Sequence, residues 1–235
     1  MNAVSIDITS KHYAGAAGPA SGHLAISGLT FDVAGNEFVC VLGPSGCGKT
    51  TLLNLIAGID DDYAGRISLA EDALQSLAYV FQTPRLLPWR TVTQNVALVA
   101  GDDDQLVAGL LQSVGIEGFA QNFPGELSLG MQRRVALARA FARKPSLLLM
   151  DEPFVSLDPD AASELRQLLK RILSERPATV IFVTHDHREA VQLADRIVVL
   201  SGAPAKVVKD VPVKMDAGAR SSPAKVGEFI ERHLR

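Results

Sequence analysis

Two cysteines, Cys40 and Cys47, are all that the chain of 235 residues contains. That is too few for a disulfide framework and fits a reducing compartment. Cys40 lies in a short apolar run and reads as a small buried hydrophobe, while Cys47 lies between glycines and reads as a loop spacer. Charge of one sign is not in excess either. The 23 Lys and Arg stand against 26 Asp and Glu, a formal net charge of -3. Whole-chain electrostatic attraction to nucleic acid or to an anionic membrane is thereby excluded. Long apolar runs are missing. Stretches such as Leu147 to Met150 and Ile197 to Leu200 have the length of a strand, whereas a membrane span needs about 20 residues. The opening MNAVSIDITS has no charged segment followed by an apolar one, so no secretory signal is expected. Service to a membrane would require docking on a membrane partner.

What is present is an ordinary globular balance, with 47% apolar and 21% charged residues, enough for one large α/β domain or two small ones. No internal repeat is seen. The first third predicts strands over Val4 to Thr9, His23 to Phe31 and Glu37 to Leu42, with the small-residue stretch Ala14 to Gly22 as a loop. A helix is expected over Thr50 to Ala57, closed by Gly58, and a strand over Ala78 to Phe81. The middle third predicts helices over Val92 to Ala100, Gln105 to Val114 and Ser128 to Arg143. The run Asp102-Asp103-Asp104 reads as a solvated loop and helix cap. The last third alternates: strands at Leu147 to Met150, Thr179 to Val183 and Ile197 to Leu200, helices at Asp160 to Leu173 and Arg188 to Ala194. Such alternation implies a parallel sheet. The expected organisation is one α/β domain over 1–235 with a helical insert at roughly 83–144. A tail over 203–235 holds a strand or two and a terminal helix.

The sharpest pattern is Gly43-Pro44-Ser45-Gly46-Cys47-Gly48-Lys49-Thr50, followed by Thr51. It fits G-x-x-x-x-G-K-[ST] between an expected strand and helix. Glycines let backbone N–H groups turn inward around phosphate oxygens, and the helix aims its positive end at the same anion. Lys49 supplies a cation for the β- and γ-phosphates, and the Thr50 hydroxyl can hold Mg²⁺. The second pattern is an apolar strand ending in Asp151-Glu152. It puts a carboxylate at the ligand-binding edge of a parallel sheet. Asp151 suits Mg²⁺, and Glu152 suits proton abstraction from water.

Further motifs follow in a fixed order: Gln82, Leu127-Ser128-Leu129-Gly130-Met131, Asp151-Glu152, Ser156-Leu157-Asp158 and His185. With the phosphate loop they resemble the ATP-binding-cassette (ABC) ATPases over roughly Val4 to Leu200. The resemblance implies an α/β phosphate-loop NTPase core with a mainly parallel sheet. It also implies an N-terminal antiparallel β subdomain and an inserted helical subdomain. Gln82 would touch the metal or the attacking water, and His185 the γ-phosphate. Asp158 would face a second copy of the chain, whose nucleotide Ser128 and Gly130 would contact. Ser128 also makes independent sense there, because it begins a helix and its hydroxyl and the following N–H groups form an anion site.

Two positions depart from the usual Leu-Ser-Gly-Gly-Gln signature: Leu129 replaces a glycine and Met131 the glutamine. Leu129 is expected in ordinary helical or extended geometry, pointing away from nucleotide. Family members stack an aromatic ring on adenine upstream of the phosphate loop; Tyr13 is the candidate, with His12 as alternative. The segment Phe81 to Val92 contains Leu86-Leu87-Pro88-Trp89, which looks like the nitrate, sulfonate and taurine importers. Trp89 either packs the insert onto the core or lies near a groove receiving a permease helix.

The resemblance implies a Mg-dependent ATPase that pairs with itself around ATP. It would serve a transmembrane permease and a periplasmic or extracellular solute-binding protein, peripherally at the cytoplasmic face of the membrane, without nucleic acid. A small-molecule kinase is disfavoured by the signature at Leu127 to Arg134. A DNA-repair or translation cassette usually carries two cassettes or a long coiled coil, and this chain has neither. An exporter or lipid-transport ATPase is the remaining alternative.

Overall fold

The computed structural model describes residues 2–15, 18–101 and 103–235. The strands are β1 (Asn2–Gly15), β2 (Gly18–Ala34), β3 (Phe38–Leu42), β4 (Ala64–Leu69), β5 (Leu77–Val80), β6 (Leu147–Asp151), β7 (Thr179–Thr184), β8 (Arg196–Leu200) and β9 (Val207–Pro212). The helices are α1 (Lys49–Ile56), α2 (Glu71–Gln75), α3 (Val92–Ala100), α4 (Asp104–Ser113), α5 (Leu129–Phe141), α6 (Pro159–Glu175), α7 (His187–Leu193), α8 (Ala217–Ser221) and α9 (Pro223–His233). The chain divides into two compact units, 1–74 with 179–235, and 75–178.

In the first unit β1 pairs antiparallel with both β2 and β4. Alternation drives this sheet: Val4, Ile6 and Ile8 are buried while Asp7 and Thr9 face out. The second element is a parallel group, with β3 between β7 and β8 and β9 antiparallel beside β8. Every residue of β3 and β7 is buried, the continuous apolar pattern of strands covered on both faces. Helix α1 contributes buried Leu52, Leu53, Leu55 and Ile56. Helix α7 packs on β3 and on α9.

In the second unit β5 and β6 run parallel. Helix α5 is its hub, packing against α3, α4, α6 and β5. Thr91 caps α3 in a capping box with Gln94, and Asp103 caps α4 by accepting from Leu106 N at 2.9 Å. Asp103 thus supplies the cap expected of the acidic run, of which Asp102 lies outside the described residues. The expected insert, 83–144, lies wholly within this unit.

Two features of the first unit differ from the sequence reading. The stretch Ala14 to Gly22 is not one loop. Strand β1 continues to Gly15 and β2 begins at Gly18, with those two residues opposite each other; Ala16 and Ala17 lie outside the described residues. A hairpin ladder carries weak strand formers when its partner strand is in register. Strand β4 is an addition to the expected elements, although Ile67 and Leu69 alternate with polar neighbours. Only Arg66-Ile67-Ser68-Leu69 carries that pattern, and Gly65 precedes it with a backbone that no side chain would fit against Asp7.

Candidate functional site

The phosphate-loop motif joins β3 to α1 in the first unit. Gly48 is the N-cap of α1, with φ 109° and no side-chain cap bond. A Cβ there would press on the Ala25 carbonyl at 3.2 Å, so both conformation and space demand glycine. At Gly43 a Cβ would meet Cys47 Sγ at 2.9 Å. Cys47 is buried and fills the inside of the loop, the spacer role expected of it. Cys40 is fully buried on β3, and burial pushes its thiol pKa well up. The thiol therefore stays protonated near neutral pH.

Lys49 is only 5% exposed, and its Nζ donates to the carbonyls of Gly43 at 2.9 Å and Pro44 at 3.0 Å. The ammonium is thus fixed across the mouth of its own loop. Thr50 is exposed beside it, while Thr51 is buried. The first N–H groups of α1 have no side-chain acceptor from the cap, which leaves the helix end suited to an anion. Pro44, Ser45 and Gly46 line the exposed rim.

His185 follows β7 directly and is exposed. Gly43 N donates to the Thr184 carbonyl at 3.3 Å, which ties the phosphate loop to the residue before the histidine. Thr184 Oγ1 donates to Glu189 at 2.7 Å and accepts from Asp186 N at 3.0 Å. Asp186 in turn caps α7. The bend that carries His185 is therefore bonded on both sides.

Tyr13 is also brought to this loop. Its hydroxyl lies 3.1 Å from Thr51 Oγ1 and donates to Asp60 at 3.4 Å. Its ring stacks on His23, 5.5 Å between centroids. His12, the alternative, is exposed opposite Leu24. Sequence reasoning misses His23. It stands across the hairpin from Tyr13 in the register, which strand pairing alone reveals. Beneath the ring, buried Lys11 bonds Asp60 at 2.9 Å and the Asp62 carbonyl at 2.6 Å.

The second unit carries the remaining candidates. Asp151 ends β6 and is 4% exposed. Glu152 follows it, half-buried, with φ 42°. Gln82 is exposed two residues past the end of β5. Tyr79 on β5 is pushed up in pKa by burial first and then by the Asp151 charge. Ser128 is the N-cap of α5, accepting from Met131 N at 3.3 Å. Leu129 opens the helix with no positive φ and is 36% exposed, the helical geometry expected. Gly130 packs near Ala161 and Leu157. Asp158 is exposed and caps α6, accepting from Ala161 N at 2.9 Å. Ser128, Gly130 and Asp158 therefore belong to the facing ends of two packed helices.

A strap over 82–91 joins Gln82 to α3. Arg139 donates to the carbonyls of Pro84 and Arg85, both at 3.0 Å. Asn95, fully buried, accepts from Leu87 N at 2.8 Å. Its amide donates to the carbonyls of Leu87, Arg90 and Thr91 at 3.0 to 3.1 Å. Trp89 projects from this strap with 70% exposure, so it does not pack into a core. Sequence reasoning singles out neither Asn95 nor Arg139.

The profile of the family described as ABC transporter matches residues 26–155. The chain belongs to that family. The aliphatic sulfonates import ATP-binding protein SsuB of a Bacillus cereus strain is 39% identical over 220 residues, 90% of this chain and 86% of the relative. The protein of the same name from Bacillus licheniformis is 41% identical over 204 residues, 83% and 80% of the two chains. Among solved structures, a dimeric post-hydrolysis state of the ATP-binding cassette MJ0796 bound to ADP and Pi matches with TM-score 0.77. It is 29% identical and covers 91% of this chain and 100% of that one. The cassette is thus an ATP-binding, ATP-hydrolysing subunit of an ABC transporter, similar to cassettes solved as dimers. Among the described residues no helix is long and apolar enough to cross a membrane.

Proposed function

We propose that the cassette powers import of a small anion or organic solute such as an aliphatic sulfonate, taurine or nitrate. The observation that carries this reading is the 39% identity over 90% of the chain to a sulfonate import ATP-binding protein. Import is favoured over export or lipid transport by the same relatives. Partners are a second copy of the chain, a transmembrane permease and, through it, a solute-binding protein. The cassette works at the cytoplasmic face of the membrane as a peripheral subunit.

ATP lies on the loop of Gly43 to Thr51 with its adenine against Tyr13. Lys49 turns from its own carbonyls to the β- and γ-phosphates. Ser128 and Gly130 of the second copy close over the γ-phosphate, with Asp158 at the same seam. Among the described residues no group of three His, Cys, Asp or Glu side chains could cage a metal. A hydroxyl at Thr50, a carboxylate at Asp151 and an amide at Gln82 are hard oxygen donors, and that set suits Mg²⁺ arriving with phosphate. When bound, Mg²⁺ neutralises charge on the phosphate oxygens. Glu152 takes the proton of the attacking water as its oxygen bonds the γ-phosphorus and the bond to the β-bridging oxygen breaks. His185 holds the γ-phosphate, and ADP and phosphate leave. Trp89, exposed on a fixed strap, docks the permease. Uptake of labelled alkanesulfonate by cells lacking and regaining this chain tests the substrate. Restored ATPase without restored uptake of any sulfonate, taurine or nitrate would refute it.

A further inference from the structure

Arg133 is a charged residue on α5, only 4% exposed, that no part of the proposed chemistry uses. Its two terminal nitrogens reach one turn of backbone. Nη1 donates to the Glu152 carbonyl at 3.2 Å and Nη2 to the Val155 carbonyl at 2.5 Å. Val155 N donates to the same Glu152 carbonyl at 3.2 Å, and Leu157 N to the Phe154 carbonyl at 3.4 Å. The turn is tight and left-handed at both ends, with φ 42° at Glu152 and 62° at Ser156. Neither is a glycine. Residues with side chains keep such a backbone only where surrounding structure enforces it. A flat guanidinium with a rigid fork of donors can hold two carbonyls at once, which a lysine ammonium on a flexible stem does less well.

We propose that Arg133 is a positioning residue for ATP hydrolysis. Its fork fixes the backbone from Glu152 to Val155 and so sets where the Glu152 carboxylate points. This rests on the reading of Glu152 as the base. The same guanidinium is carried by the helix whose cap is Ser128. A shift of α5 on contact with the other copy's nucleotide is therefore handed to this copy's Glu152 over a single side chain.

The test uses the full chain with Arg133→Lys and Arg133→Gln, each alone and combined with Glu152→Gln. Turnover, affinity for a non-hydrolysable ATP analogue and thermal unfolding are measured for all. Misplacing a reacting group slightly can cost on the order of a hundredfold. Arg133→Lys should therefore lower kcat by roughly ten- to a hundredfold and leave analogue affinity within about twofold. In the Glu152→Gln background the same change should cost less than about threefold, because an amide is no base however it points. Equal proportional loss in both backgrounds would show a role independent of Glu152 and overturn the proposal. So would wild-type kcat in a folded Arg133→Lys and Arg133→Gln pair, or loss of cooperative unfolding in both. A Glu152→Gln chain that keeps wild-type turnover removes the base reading itself, and that result is read before Arg133 is touched.

Discussion

The Gly43 amide and the Thr184 carbonyl are joined at 3.3 Å. Through that bond the phosphate loop and the bend bearing His185 share one strand edge, and Lys49 closes the loop from the other side. The ammonium is the cation fixed within the loop, and its donors already face inward. Lys49→Ala should remove most affinity for Mg-ATP or all turnover, while Cys40 and Cys47 stay buried. Titration calorimetry with a non-hydrolysable analogue checks this. Wild-type binding together with wild-type hydrolysis would refute the assigned site.

Glu152→Gln keeps size and hydrogen-bonding capacity but removes the base. Turnover should fall about 10²–10⁴-fold, and ATP should still bridge Lys49 of one copy to Ser128 of the other. The variant should accumulate as an ATP-bound dimer, seen by size-exclusion chromatography with light scattering. A variant that hydrolyses at the wild-type rate rules out the base. One that is inactive yet never dimerises places the fault at Ser128 and its Leu129 and Met131 neighbours.

Trp89→Ala should leave ATPase of the isolated cassette unchanged, because the ring is 70% exposed. It should abolish stimulation by permease and substrate in reconstituted vesicles. Equal loss of both activities would contradict a docking role. Asn95→Ala should act differently. It strips partners from Leu87, Arg90 and Thr91 in a buried setting, at roughly 1–3 kcal/mol, so thermal unfolding should shift downward as well.

Asp60 gives a pH signature. Burial opposes its charge, yet hydrogen bonding and attraction from Lys11 hold its carboxyl below the usual range. A carboxylate lowered in the folded state stabilises above its unfolded pKa of about 3.9 and loses that contribution as pH falls through the folded value. Asp60→Asn should cost roughly 1–2 kcal/mol near neutrality by leaving the Lys11 ammonium under-compensated, less than for a fully enclosed pair because solvent reaches Asp60. The gap from wild type should begin to narrow as pH falls below about 3.9 and close once pH lies below the lowered folded value. A gap that stays constant with pH would show that Lys11 is not the cause.

Most of the fold is legible in the sequence because its signals are local. The apolar runs of β3, β6 and β7 and the caps at Asp103 and Ser128 each announce themselves within a few residues. The phosphate loop is legible for the same reason. What escapes depends on contacts far apart in sequence. Strand β4 carries too short an alternation and is held by β1 through pairs that run from Val4 with Leu69 to Ser10 with Ala64. His23 matters through its ring against Tyr13. Asn95, Arg133 and Arg139 are ordinary polar residues of helices until their carbonyl partners are known. Trp89 admits two readings in the sequence, and its exposure decides only that it does not pack into a core.

The strap over 82–91 owes its shape to donors that lie outside it. Arg139 on α5 and Asn95 on α3 hold its carbonyls, and the strap supplies the tryptophan. A peptide copying this segment would carry the Trp89 side chain without the curve that presents it. Grafting the strap onto another cassette would transfer its shape only if the two helix positions moved with it. On the proposed docking role of Trp89, Asn95 and Arg139 would shape partner choice from behind the strap.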